Sequence, residues 1–182
     1  MDEGLIPLLE VSERAWQSFK DSLKDIGPDE IDWRPLPQAN SINTIVRHLR
    51  IEAEWHADCI ENGVLMPAEM TPEVQRLIDA VPMDFGRNVA ELEQLFSRFH
   101  VALRQTSLES LRRQTDRAYN HPAWTQAEGT SAGRRHFLGY HQPMHLAGHT
   151  SQIRTIRNLF RTTRGESGRF FPENPTFPTA TE

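Results

Sequence analysis

The last helical stretch of the chain carries three histidines at four-residue intervals, His141, His145 and His149, in the run HQPMHLAGHTSQI. On a helix, residues four apart share one face and lie about 6 Å apart along the axis. Two imidazoles so placed can hold one divalent metal ion, which takes nitrogen ligands at roughly 2 Å. A third ligand has to come from another helix. His48, in TIVRHLRIEAEWH, is the candidate, three residues after Ile45 and next to Leu49, at the edge of an apolar face. Glu52 and His56 continue its ridge at i+4 and i+8, each placed to serve as a fourth ligand or to hold a ligand from behind. Pro143 interrupts the turn between His141 and His145, while the sequence from Leu146 to Ser151 carries the helix on. His145 and His149 are therefore the favoured pair, and Gln152, three residues on, can orient a ligand or a bound water.

Two other arrangements fit the same spacing. One is a polar seam between helices, its imidazoles hydrogen-bonded to one another or to water. The other is a site built from His141, His145 and a carboxylate such as Glu52. His100, His121 and His136 stand outside the pattern and read as structural or solvated. The sequence holds no glycine-rich phosphate loop, CxxC pair or GxSxG elbow.

Four segments have the periodicity needed to position these residues. Residues 5–26 place Leu5, Leu9, Ser12, Trp16, Phe19, Leu23 and Ile26 at alternating spacings of three and four, a stripe that faces a core. Asn40 or Ser41 caps a second helix over 42–62, with Ile42, Ile45, Val46, Leu49, Ala53 and Ile60 inward. The third, 86–106, carries Val89, Leu92, Phe96, Phe99 and Leu103. The fourth, 131–161, contains Pro143, which predicts a kink or a start there. Long connections separate them at 63–85 and 107–130, with single helical turns near 73–80 and 108–113. An extended tail with three prolines, 165–182, follows the domain at 1–164, and its Phe170, Phe171 and Phe177 can anchor it. With strand signals almost absent, the fold class is all-α, a four-helix bundle, an architecture that builds metal sites from facing helices.

Composition narrows the function. The chain has 182 residues and a net charge of −5, without the basic footprint of a nucleic-acid binder. Arg154, Arg157, Arg161 and Arg164 read as a solvated helix face, with an anion-binding patch as the alternative. The single cysteine, Cys59, excludes an internal disulfide framework, suits a reducing compartment and reads as a small buried residue. No segment approaches the ~20 apolar residues of a membrane span, and MDEGLIPLLE lacks the basic start of a signal peptide. The expectation is a soluble cytoplasmic protein.

Several of these pieces recur together. Trp33-Arg34-Pro35 forms a connection, Ser41-Ile42 opens a helix that reaches His48 with Glu54-Trp55 after it, and His145-x-x-x-His149-x-x-Gln152-Ile153 lies in the final helix. In order and spacing, over about residues 5 to 161, they resemble the DinB-like (YfiT-like) metalloprotein superfamily. The chain departs from that pattern at Ser151, where the family often has glycine, and in the two long connections and the tail. The resemblance implies an up-down-down-up four-helix bundle, often a homodimer, with a divalent metal such as zinc, nickel or iron. It places the ligands on His48, His145 and His149. It implies a metal-dependent enzyme, a transferase or isomerase using a low-molecular-weight thiol or a hydrolase. A non-catalytic, stress-associated metal-binding bundle and a metal-free helical interaction module are the alternatives.

Overall fold

A computed structural model describes residues 1–62, 71–112 and 134–166, except the side chains of 62, 112 and 134–138. His121, the His136 side chain and the tail phenylalanines lie outside the described residues, as do most of the two long connections.

All regular structure among the described residues is helical. A short 3-10 turn, Glu3–Leu5, leads into α1, Ile6–Leu23. Between the first two predicted helices the chain forms a one-turn helix, α2, Pro28–Ile31. The second long helix, α3, spans Ile42–Asn62, and Ser41 Oγ accepts from the Thr44 amide at 3.2 Å, which makes Ser41 its cap. The helix α4, Pro72–Ala80, is capped by Thr71 and has no buried residue. It is followed by α5, Phe85–Gln105, by the short α6, Leu108–Arg112, and by α7, Arg134–Thr163.

Cross-helix contacts give the long helices their directions. Ser12, Ser18 and Ser22 of α1 meet Gln142, Arg154 and Arg157 of α7 in the same order, so these two helices run parallel. Arg50 of α3 bonds Glu91 of α5, and Asp58 and Glu61 bond Arg98, so α3 and α5 are parallel too. Between the pairs the order reverses. Trp16 stacks on Phe96 and Glu13 reaches Arg104. His48 faces His145 while His56 faces His141.

The predicted stripes fill the interior. Phe19, Ile42, Ile45, Val46, Leu49, Leu92, Phe96, Leu146 and Ile153 form one buried cluster. Leu5, Leu8, Leu9, Ala57, Ile60, Phe99, Leu103 and Leu111 form a second. Burying each such Leu, Ile, Val or Phe side chain contributes about 1.5–3 kcal/mol. Cys59 is buried as expected.

Pro143 neither starts nor ends α7, which continues through it and keeps the proline buried. The proline withdraws one donor from the carbonyl four residues earlier, that of Gly139. A Cβ at Gly139 would lie 3.2 Å from Leu8 Cδ2, so glycine lets α7 approach α1 closely just before the proline.

The arginine row of α7 does not form one solvated face. Arg157 is fully buried. Its five N–H donors reach Glu30 Oε1 at 2.6 Å, Glu30 Oε2 at 3.1 Å, and the carbonyls of Ser22 (2.6 Å), Lys24 (2.9 Å) and Asp25 (3.3 Å). The last carbonyls of a helix lack intrahelical donors, and this guanidinium supplies them for α1. Asp25, at φ 52°, turns the chain in the left-handed region that Asp tolerates, and its carbonyl is one of the acceptors. The arrangement locks α1, α2 and α7 together.

Candidate metal centre

Because α3 and α7 are antiparallel, two ridges with a four-residue step face each other. His48, Glu52 and His56 line one; His149, His145 and His141 line the other. The buried stripe of α7 runs through Gln142, Leu146, Thr150, Ile153 and Arg157. The histidines sit one residue before its first three members, which turns them toward α3 at the half-buried edge of the core.

At one end the Nε2 atoms of His48, His145 and His149 converge. His145 Nε2 lies 3.2 Å from His48 Nε2 and 3.0 Å from His149 Nε2. Ligand atoms of all three residues fall within 4.8 Å of one another. Two nitrogens on one tetrahedral ion at about 2.0–2.1 Å stand roughly 3.3 Å apart, so the observed spacing suits a shared ion. His149 Nδ1 lies 2.8 Å from Gln152 Oε1. An amide oxygen only accepts, so Nδ1 carries the proton and Nε2 presents its lone pair to the centre.

Glu52 sits behind the triad. Its Oε1 is 3.3 Å from His48 Nε2 and its Oε2 3.1 Å from His145 Nδ1. Oε2 is nevertheless buried without a hydrogen-bond partner, because the contact with His145 is not aligned for one. At the other end His56 Nε2 meets His141 Nδ1 at 3.0 Å, and the two rings stack with centroids 5.3 Å apart.

Burial controls the charges. It lowers the pKa of His48 to about 4, helped by the charge of His149, and that of His56 to about 3, helped by His141. His145 is pushed lower still by burial and by the surrounding imidazoles. Burial also lowers His141 and His149, and for His149 the Gln152 contact works in the opposite direction. The same desolvation raises Glu52 to about 7. At neutral pH the imidazoles are therefore unprotonated, the state in which they ligate metal. A buried carboxylate oxygen without a donor and three unprotonated imidazoles whose Nε2 atoms converge fit a divalent ion.

The residues singled out by spacing divide in the structure. His48, His145 and His149 come together, and Gln152 supports His149 as expected. His141 is half-buried and pairs with His56 instead of joining the triad. Glu52 and His56 both face α7, Glu52 with 16% of its side chain exposed and His56 buried at 1% exposure. Their i+4 and i+8 register with His48 was the available signal, but reading it required the direction of α7. His100 is structural, its Nε2 2.8 Å from Ser12 Oγ, which in turn donates to Gln142 Oε1 at 3.5 Å. The serine tolerated in the α1 stripe thus belongs to a buried polar chain.

A groove of about 340 Å³ lies elsewhere, between α3, α4 and α5, lined by Arg50, Glu54, Trp55, Leu77, Arg87 and Glu91 among others. No helix among the described residues is long and apolar enough to cross a membrane. No family model matches the chain, and neither a curated protein nor a solved structure matches it significantly.

Proposed function

We propose that the chain is a DinB-like four-helix bundle whose His48, His145 and His149 hold one divalent metal ion, and that it is a metal-dependent enzyme of the thiol-transferase or hydrolase type. The observation that carries this reading is the convergence of three Nε2 atoms from two antiparallel helices, with His149 oriented by Gln152. The helix directions support it, since α1 and α7 parallel to each other and opposite to α3 and α5 is the up-down-down-up order.

Three neutral ligands leave an ion its full charge and an open position, and such an ion, when bound, acidifies water or a thiol near neutral pH. The chain's own residues do the rest. Gln152 fixes the ring of His149. With only the triad loaded, Glu52, whose Oε1 lies 3.3 Å from His48 Nε2, is placed to exchange a proton beside it. His56, held unprotonated down to about pH 3, is too weak a base for that task.

Metal analysis of protein purified without a histidine tag tests the site. Alanine at His48, His145 or His149 removes one equivalent of metal per chain, and full retention in His48→Ala would sink the assignment. Zinc, nickel and iron are the ions to assay. Turnover of low-molecular-weight thiols, esters or amides by the loaded protein, lost in the same variants, tests catalysis. Sedimentation at micromolar concentration tests the homodimer that the resemblance implies.

A further inference from the structure

We propose that Glu52, His56 and His141 form a second divalent-cation site, adjacent to the three-histidine triad and sharing no ligand with it. Their ligand atoms lie within 4.8 Å of one another. The three residues come from both ridges, with Glu52 and His56 one turn apart on α3 and His141 opposite on α7.

Three features point to a cation here. First, His56 Nδ1 lies 2.7 Å from the Glu52 carbonyl oxygen. A carbonyl only accepts, so the His56 proton is on Nδ1 and the lone pair of Nε2 faces His141. A backbone carbonyl behind the ring is the usual way a metal-ligating imidazole is held. Second, Glu52 Oε2 is buried with no hydrogen-bond partner among the described residues, and the ion-pair neighbours of the carboxylate there are two imidazoles, His48 at Oε1 and His145 at Oε2. A buried carboxylate that lacks a matched donor is costly unless a charge neutralises it. Third, the ligand set of two imidazoles and one carboxylate binds zinc and the other first-row divalent ions.

The site does not depend on the triad, and metal counting separates the two. The metal-stripped full chain is dialysed against zinc ions alone, and bound zinc per chain is measured. The wild type is expected to hold two equivalents. His141→Phe, which keeps a ring to stack on His56 and His145 but removes Nδ1, should hold one. His149→Ala should also hold one, and the double variant none. Glu52→Gln, close in size, should lose one equivalent and serves as the second variant if His141→Phe loses its helical circular dichroism. One equivalent in the wild type, unchanged by His141→Phe and lost in His149→Ala, overturns this inference and leaves the triad standing. One equivalent lost in His141→Phe but kept in His149→Ala upholds the second site and removes the first. Two equivalents retained by the double variant place the zinc elsewhere and overturn both.

Discussion

Two buried polar assemblies lie on α7, one at Arg157 and one along the histidines, and they are finished to different degrees. At Arg157 five donors meet five acceptors, the charge is balanced by Glu30, and the side chain has no exposure. Among the histidines, three Nε2 atoms crowd together with spacings of 3.0 and 3.2 Å, and Glu52 keeps an oxygen without a donor. A closed network supports structure, because nothing remains in it to bind. An open one of this composition, kept at the half-buried edge of the core, is what a ligand site requires. The fully closed network sits at the other end of the α3–α7 seam's neighbour helix, α1, where its task is to fix helix ends.

The sharpest way to break this contrast is to open the closed assembly. Arg157→Ala leaves Glu30 buried without its partner and three carbonyls without donors, a loss of about 3–5 kcal/mol. Urea unfolding measures it, and a loss under about 1 kcal/mol would place Arg157 among ordinary surface arginines.

Opening the histidine assembly further should do the reverse. His149→Ala removes one equivalent of metal but costs the metal-free protein only about 1 kcal/mol, the worth of an ordinary hydrogen bond. A large loss of stability in the metal-free variant would make the triad a structural seam. A smaller effect is expected one step back. Gln152→Ala keeps all three ligands and weakens metal affinity by about 10–100-fold, read by competition with a chelator.

A separate test is the pH dependence of the metal-free protein, where opposing shifts partly cancel. The His56 pKa falls from 6.5 when unfolded to about 3 when folded. Between those values the unfolded chain binds the proton and the folded one does not, so stability falls as pH drops below 6.5. Glu52 acts oppositely: its folded pKa of about 7 exceeds the ordinary 4.5, so the folded form gains stability as pH falls through that window. The imidazoles outnumber the single carboxylate, so the melting temperature should drop from pH 6.5 toward pH 4. In His56→Phe the drop should be shallower, and an unchanged slope would show that His56 titrates normally. The imidazoles also compete for protons below their ordinary range, so metal release should begin below the pH 6 that unperturbed histidine gives.

Local pattern and tertiary structure contributed separately. The stripes of α1, α3 and α5 are explicit in the sequence because burying one helix face demands apolar residues every three or four positions, whatever the helix packs on. The start of α3 is legible too, because a serine before an apolar-periodic run caps a helix, as Ser41 does. The 141–145–149 and 145–149–152 spacings are legible because helical register is a local property. What no local property contains is the direction in which α7 passes α3. That direction puts His141 opposite His56 and separates it from the triad, and it draws Glu52 between His48 and His145. Arg157 shows the same limit. Its position in a row of four arginines suggests a solvated face, and only the approach of α2 and the end of α1 surrounds it with acceptors. The sequence by itself determined which residues could ligate or pair; the packing of distant helices decided which of them meet, because hydrogen bonds and metal sites depend on distances that join residues about a hundred positions apart.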